Sequence, residues 1–135
     1  MTPLKLGMVG GGQGAFIGGV HRMAARLDGC YELVAGSFAS DPLRAHAFAG
    51  ELGVDKDRSY DDYTQMAKME SARPDGIDVV SIVTPNHLHG PIAEAFLAEN
   101  IHVICDKPMT ATLAQAKSLV AAAAVSKASL FVTHN

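Results

Sequence analysis

The stretch Gly10-Gly11-Gly12-Gln13-Gly14-Ala15-Phe16-Ile17-Gly18 is the first part of the chain whose residue types point to chemistry. Glycines let a backbone approach a diphosphate closely, and its charge is then met by free N–H groups and the positive end of a helix dipole. The strict spacing is satisfied as G-x-G-x-x-A by Gly10, Gly12 and Ala15, whereas Gly10, Gly12 and Gly18 form an alternative set with three more residues before the helix. A triphosphate loop of the Walker type is excluded, because no Gly-Lys-Ser/Thr follows. Gln13, Gly14, Phe16 and Ile17 complete the candidate phosphate loop.

About 20 residues beyond such a loop, a domain that prefers NAD places a carboxylate for the ribose 2′-hydroxyl. Counting from Gly18 lands on Phe38, inside Ser37-Phe38-Ala39-Ser40, and no acid follows until Asp41. Asp41 precedes Pro42 and reads as a helix cap. With no carboxylate to repel it, a 2′-phosphate could take hydrogen bonds from Ser37 and Ser40, with Arg44 one turn on. The expected cofactor is NAD or NADP, with a lean to NADP.

Three more segments are unusually polar: Thr84-Pro85-Asn86-His87-Leu88-His89, Asp106-Lys107-Pro108 and His134-Asn135. His87-x-His89 has half the makings of a zinc site, but no further ligand cluster supports one, and no metal is expected. Asp61-Asp62 reads as a helix cap with its neighbour rather than a carboxylate pair. His21 and His46 read as helix residues, His102 as a strand residue, and the pair Met66 and Met69 as core. A lysine before a proline is ordinarily a solvated surface group, so Lys107 draws weight only from its place in the fold.

That place follows from the alternation of elements. Apolar runs over 4–9, 32–38, 77–83, 101–105 and 130–133 read as strands, and 58–60 as a short additional one. Between them, helices are expected over 16–27, from Asp41 to Gly53, from Asp61 or Asp62 to about Arg73, over 88–99, and from the capping box Thr112-x-x-Gln115 to Ser126. Six strands, apolar on both faces and separated by helices, imply one α/β domain: a doubly wound parallel sheet of the Rossmann type, in the order 3-2-1-4-5-6. Ligands of such sheets bind beyond the carboxyl ends of the strands, at the switch point beside strand 1. The glycine loop and the three polar segments all fall at those ends.

Length and composition agree with this. At 135 residues the chain has room for a single core, and 48% apolar with 19% charged residues is globular. Eleven basic against fourteen acidic residues give a net charge of −3, which offers no broad basic surface to nucleic acid. No apolar run reaches the roughly 18 residues of a membrane span, and glycines interrupt the N-terminus where a signal peptide would be apolar. Cys30 and Cys105 are far apart and read as small buried hydrophobes. The expected setting is the cytoplasm.

The loop ending in Ile17-Gly18-x-x-His21, the Thr84-Pro85-Asn86-x-x-His89 segment and Asp106-Lys107-Pro108 together resemble the N-terminal domain of the Gfo/Idh/MocA oxidoreductases. The resemblance covers essentially the whole chain. It implies hydride transfer between NAD(P) and a hydroxyl carbon of a sugar, polyol or related small molecule. Lys107 matches the family's Glu-Lys-Pro lysine, beside the nicotinamide and the substrate hydroxyl, where an ammonium can stabilise developing alkoxide. The Lys107-Pro108 bond is then expected to be cis, and Asn86 and His89 to pack with Thr84 and Pro85 along the cofactor. Asp106 departs from the usual Glu, and Phe38 replaces the ribose acid. The resemblance also implies a C-terminal substrate domain, bearing a catalytic Asp-x-x-x-His and the oligomer interface, which residues 1–135 do not encode. On this reading the chain alone binds dinucleotide and turns over little. Two other classes stay open: a non-catalytic dinucleotide-sensing module, and a methyltransferase-like domain with a similar glycine loop.

Overall fold

The computed structural model describes residues 1–135. Five strands, β1 (Leu4–Gly10), β2 (Tyr31–Ser37), β3 (Val79–Val83), β4 (His102–Cys105) and β5 (Leu130–Val132), form one sheet in the order β2-β1-β3-β4-β5. Every neighbouring pair is parallel. The helices are α1 (Phe16–Arg26), α2 (Pro42–Glu51), α3 (Tyr63–Ala72), α4 (His89–Ala98) and α5 (Leu113–Val125). All five residues of β3 are buried, as a strand covered on both faces should be.

The expected strand over 58–60 is not one. Lys56–Arg58 forms a 3-10 turn, and only an isolated bridge from Ser59 to Gly36 keeps the strand direction. The cause is Arg58, which turns inward. Its guanidinium makes a paired contact with the buried Glu70 carboxylate and donates to the Asp75 carbonyl (3.1 Å). Tyr60 Oη also donates to Glu70 (2.7 Å), and Glu70 accepts the Ile77 N–H (3.1 Å).

Helix starts are set by side chains where the sequence supplies them. Asp41 accepts from the Leu43 N–H (3.1 Å), and Thr112 accepts from the Gln115 N–H (3.2 Å). Of the acidic pair, Asp62 is the cap, accepting from the Thr64 N–H (3.1 Å), while Asp61 pairs with His46 Nε2 (2.8 Å). α4 begins at His89, after a 3-10 turn over Asn86–Leu88.

The core is in two parts. Successive strand residues face opposite ways, so Val9 joins a cluster of 17 buried residues under α3, α4 and α5, while Met8 joins one of six. The smaller cluster holds Phe38 edge-on to Phe48 (ring centroids 5.7 Å apart) and packs under α1 and α2. Met66 is fully buried, but Met69 is 46% exposed and not core. Cys105 is buried as expected. Cys30 is only half-buried, its N–H bonded to the Asp28 carboxylate (3.1 Å). No helix is long and apolar enough to cross a membrane.

Candidate functional site

The turn from β1 into α1 is shaped by close approach. A Cβ on Gly12 would lie 2.7 Å from the Phe38 carbonyl oxygen, and one on Gly18 would lie 2.5 Å from the Gly11 Cα. Gly18 therefore completes the set with Gly10 and Gly12, so the longer spacing is the one the fold uses. Ala15, third in the strict spacing, sits instead at the N-cap of α1, with no side-chain hydrogen bond to the helix and no acidic residue in the first turn. The leading amides are left for an anion. Behind the loop, Arg22 donates to the Gly11 carbonyl (2.8 Å) with its guanidinium 5.2 Å from the Phe48 ring centre. Burial, aided by repulsion from Arg26, draws the Arg22 pKa down.

Gly18→Val is therefore expected to push the loop off the helix start. Overpacking of this kind costs about 1–3 kcal/mol, and dinucleotide affinity, measured by calorimetric titration, should fall about 10- to 100-fold. Unchanged affinity would show that the loop does not hold the ligand.

A cleft of about 530 Å³ opens against this loop. It brings together Gly10, Gly12, Gln13 and Ala15 with Ser37, Ser40 and Arg44 from the β2–α2 side and Thr84 and Pro85 from the end of β3. Phe38 borders it too, but the residue is 2% exposed and its ring belongs to the small core, leaving the main chain to face the Gly12 turn. Asp61 and Asp62, which the sequence reading did not assign to a site, line the same cleft. Gly14, Phe16, Ile17, Asn86, His89, Asp106, Lys107 and Pro108 are not among its walls. Phe16 is 84% exposed, and Ile17 packs on the small core. Lys107 is exposed on the loop after β4, and its peptide bond to Pro108 is cis. His134 and Asn135 follow β5 at the same edge of the sheet.

Asp106 and His89 lie beneath this surface. Asp106 Oδ1 accepts from Thr133 Oγ1 (2.9 Å) and from His21 Nε2 (3.2 Å), and Ser81 Oγ lies 2.8 Å from His21 Nδ1. Asp106 is thus locked into the sheet rather than turned to the cleft. Burial acts to raise its pKa, but the hydrogen bonds from Thr133 and His21, with the charges of His21 and Lys107, outweigh it and hold the carboxyl below its ordinary range. The folded chain therefore favours the anion. That stability is present above the ordinary carboxylate range and is lost as pH falls through the lowered pKa. Asp106→Asn should destabilise the chain in urea at neutral pH, with the difference from wild type shrinking in acid. A difference independent of pH would remove the carboxylate from the account. The sequence reading missed Ser81 and Thr133 altogether, and Arg22 too. It took His21 for an ordinary helix residue. No group of three or more potential metal ligands occurs.

A parallel sheet with a glycine-lined anion turn at its switch point defines a dinucleotide-binding domain of the Rossmann class. The chain belongs to the Gfo/Idh/MocA oxidoreductases: residues 4–134 match the family model described as "Oxidoreductase family, NAD-binding Rossmann fold". It is similar to an oxidoreductase from Sinorhizobium meliloti, with 54% identity and a TM-score of 0.95 over 99% of this chain and 37% of that one. An inositol dehydrogenase homolog from Azotobacter vinelandii, solved with NADH and myo-inositol, is 43% identical with a TM-score of 0.93, over 98% of this chain and 35% of that one. The uncharacterized oxidoreductase YfiI of Bacillus subtilis (strain 168) is 43% identical over 90% of this chain and 31% of its own length. The chain thus spans roughly a third of the length of each.

Proposed function

We propose that this domain holds NAD(P), with a lean to NADP(H), for an oxidoreductase acting on a sugar, polyol or related hydroxyl compound. The substrate-binding groups and the oligomer contacts would come from a further domain. One observation carries this reading: the uncapped start of α1, with the Gly12 turn, lies at the strand ends that also present Thr84-Pro85-Asn86 and Lys107. The cofactor supplies the hydride chemistry; the residues of this chain hold and orient it. Amides of residues 10–18 meet the diphosphate, and Lys107 holds the substrate oxygen and balances charge that develops there. The similarity to a homolog solved with myo-inositol supports a polyhydroxylated substrate.

Arg44 is the cationic side chain that lines the cleft and takes part in no ion pair, whereas Asp61 is tied to His46 and Asp62 to the start of α3. This supports a 2′-phosphate beside Arg44, Ser37 and Ser40. Separate titrations with NADH and NADPH test the reading, and NADPH should bind at least as tightly. A charge-assisted hydrogen bond contributes about 1.5–3 kcal/mol, so Arg44→Ala should weaken NADPH about 10- to 100-fold and leave NADH nearly unchanged. Much tighter NADH binding would reverse the preference, and binding of neither would overturn the function.

A further inference from the structure

His89, the first residue of α4, is 1% exposed. Its Nε2 lies 2.9 Å from the Thr84 carbonyl oxygen and its Nδ1 lies 2.7 Å from the Pro108 carbonyl oxygen. Carbonyl oxygens only accept, so each contact is a hydrogen bond only when the ring nitrogen carries hydrogen, and both are made together only by the doubly protonated ring, which is a cation. The two carbonyls belong to different segments. Thr84 directly follows β3 and begins the turn at the rim of the cleft, whereas Pro108 immediately follows Lys107 after β4. β3 and β4 are hydrogen-bonded neighbours only as far as Ile82 and Cys105, with Asp106 N–H reaching the Ile82 carbonyl (3.0 Å). Beyond that point the two loops are free of the sheet ladder, and His89 is the side chain hydrogen-bonded to both.

We propose that His89 is a positioning residue: by donating to both carbonyls it fixes the spacing between the β3 and β4 exit loops, and so the place of Lys107 relative to the cleft. It touches no ligand. Enclosing a charged ring is costly unless its N–H groups are hydrogen-bonded, and the two carbonyls supply both partners without a neighbouring carboxylate. The consequence for ligand binding rests on the proposed dinucleotide function; the bridging itself does not.

The 135-residue chain with its histidine rings labelled with nitrogen-15 tests the bridge directly. A long-range proton–nitrogen correlation spectrum should show hydrogen on both His89 ring nitrogens; one bare nitrogen would break the bridge and overturn the proposal. His89→Phe keeps a planar ring and removes both donors. Losing both hydrogen bonds should quicken exchange of the Leu88 and Asp106 amides about tenfold or more. Under the proposed function the nicotinamide half of NADH would extend from the cleft toward the β4 loop, so NADH should bind about 3- to 10-fold more weakly, while ADP-ribose, which would lie on the glycine loop, keeps its affinity. Equal losses for both ligands, or no loss for either with amide exchange unchanged, would reduce His89 to packing and overturn the proposal. If His89→Phe fails to fold, His89→Gln, which keeps one amide donor, gives the same readings with a smaller shift. If the wild-type chain binds neither ligand, the dinucleotide function fails, and the ring spectrum still decides the role of His89.

Discussion

Lys107→Ala is expected to lower kcat about 10²- to 10³-fold in the oxidoreductase proposed to carry this domain, the size seen when one preorganised donor to a developing oxyanion is removed. The side chain is exposed, so its loss should change stability by no more than about 0.5 kcal/mol. It is not a wall of the cleft either, so dinucleotide affinity, measured on the 135-residue chain, should be nearly unchanged. Steady-state kinetics with saturating cofactor then isolate the effect on the chemical step. Lys107→Arg should recover only part of the rate, because a planar fork does not reproduce a compact ammonium. An unaltered kcat in the alanine variant would take Lys107 out of the chemistry.

Glu70→Ala should cost about 3–5 kcal/mol of folding stability, a large share of the roughly 5–15 kcal/mol that a domain of this kind has in total. Its carboxylate is fully enclosed and binds the Arg58 guanidinium, Tyr60 Oη and the Ile77 N–H at once. Removing it strands two buried donors and leaves the Arg58 guanidinium only the Asp75 carbonyl and a 3.8 Å contact with the half-exposed Asp75 carboxylate, which is far worse than never having had the network. Burial and the adjoining Glu70 charge also push the Tyr60 phenol up, so it remains a donor across the usable pH range. Urea unfolding at neutral pH measures the loss. A change below about 1 kcal/mol would mean that water reaches Arg58 and replaces the lost partner. Glu70→Gln keeps the shape and one acceptor, and should fall between wild type and Glu70→Ala.

The elements that local pattern can specify are readable in the chain. Asp41-Pro42 and Thr112-x-x-Gln115 start helices as expected, and the unbroken apolar run over 77–83 becomes the central strand β3. Where sequence reading fails, the deciding partner is distant. Arg58 is drawn out of strand geometry by Glu70, twelve residues on, together with the carbonyl of Asp75. His21 fits a helix pattern perfectly well, yet its ring bonds Ser81 and Asp106, 60 and 85 positions away. The count from the glycine loop lands on Phe38, but counting cannot say that the ring turns into the core while the main chain faces Gly12. Of the two spacings open in the glycine loop, the choice of Gly18 depends on a helix-to-loop contact that exists only after α1 has docked.

The division of the interior has a practical corollary for redesign. Residues 37–54, which carry Ser37, Ser40 and Arg44, rest on the six-residue cluster rather than on the one of 17. Substitutions resting on separate clusters tend to add independently. A segment grafted there to test the proposed 2′-phosphate contacts should therefore leave the helices behind Lys107 undisturbed.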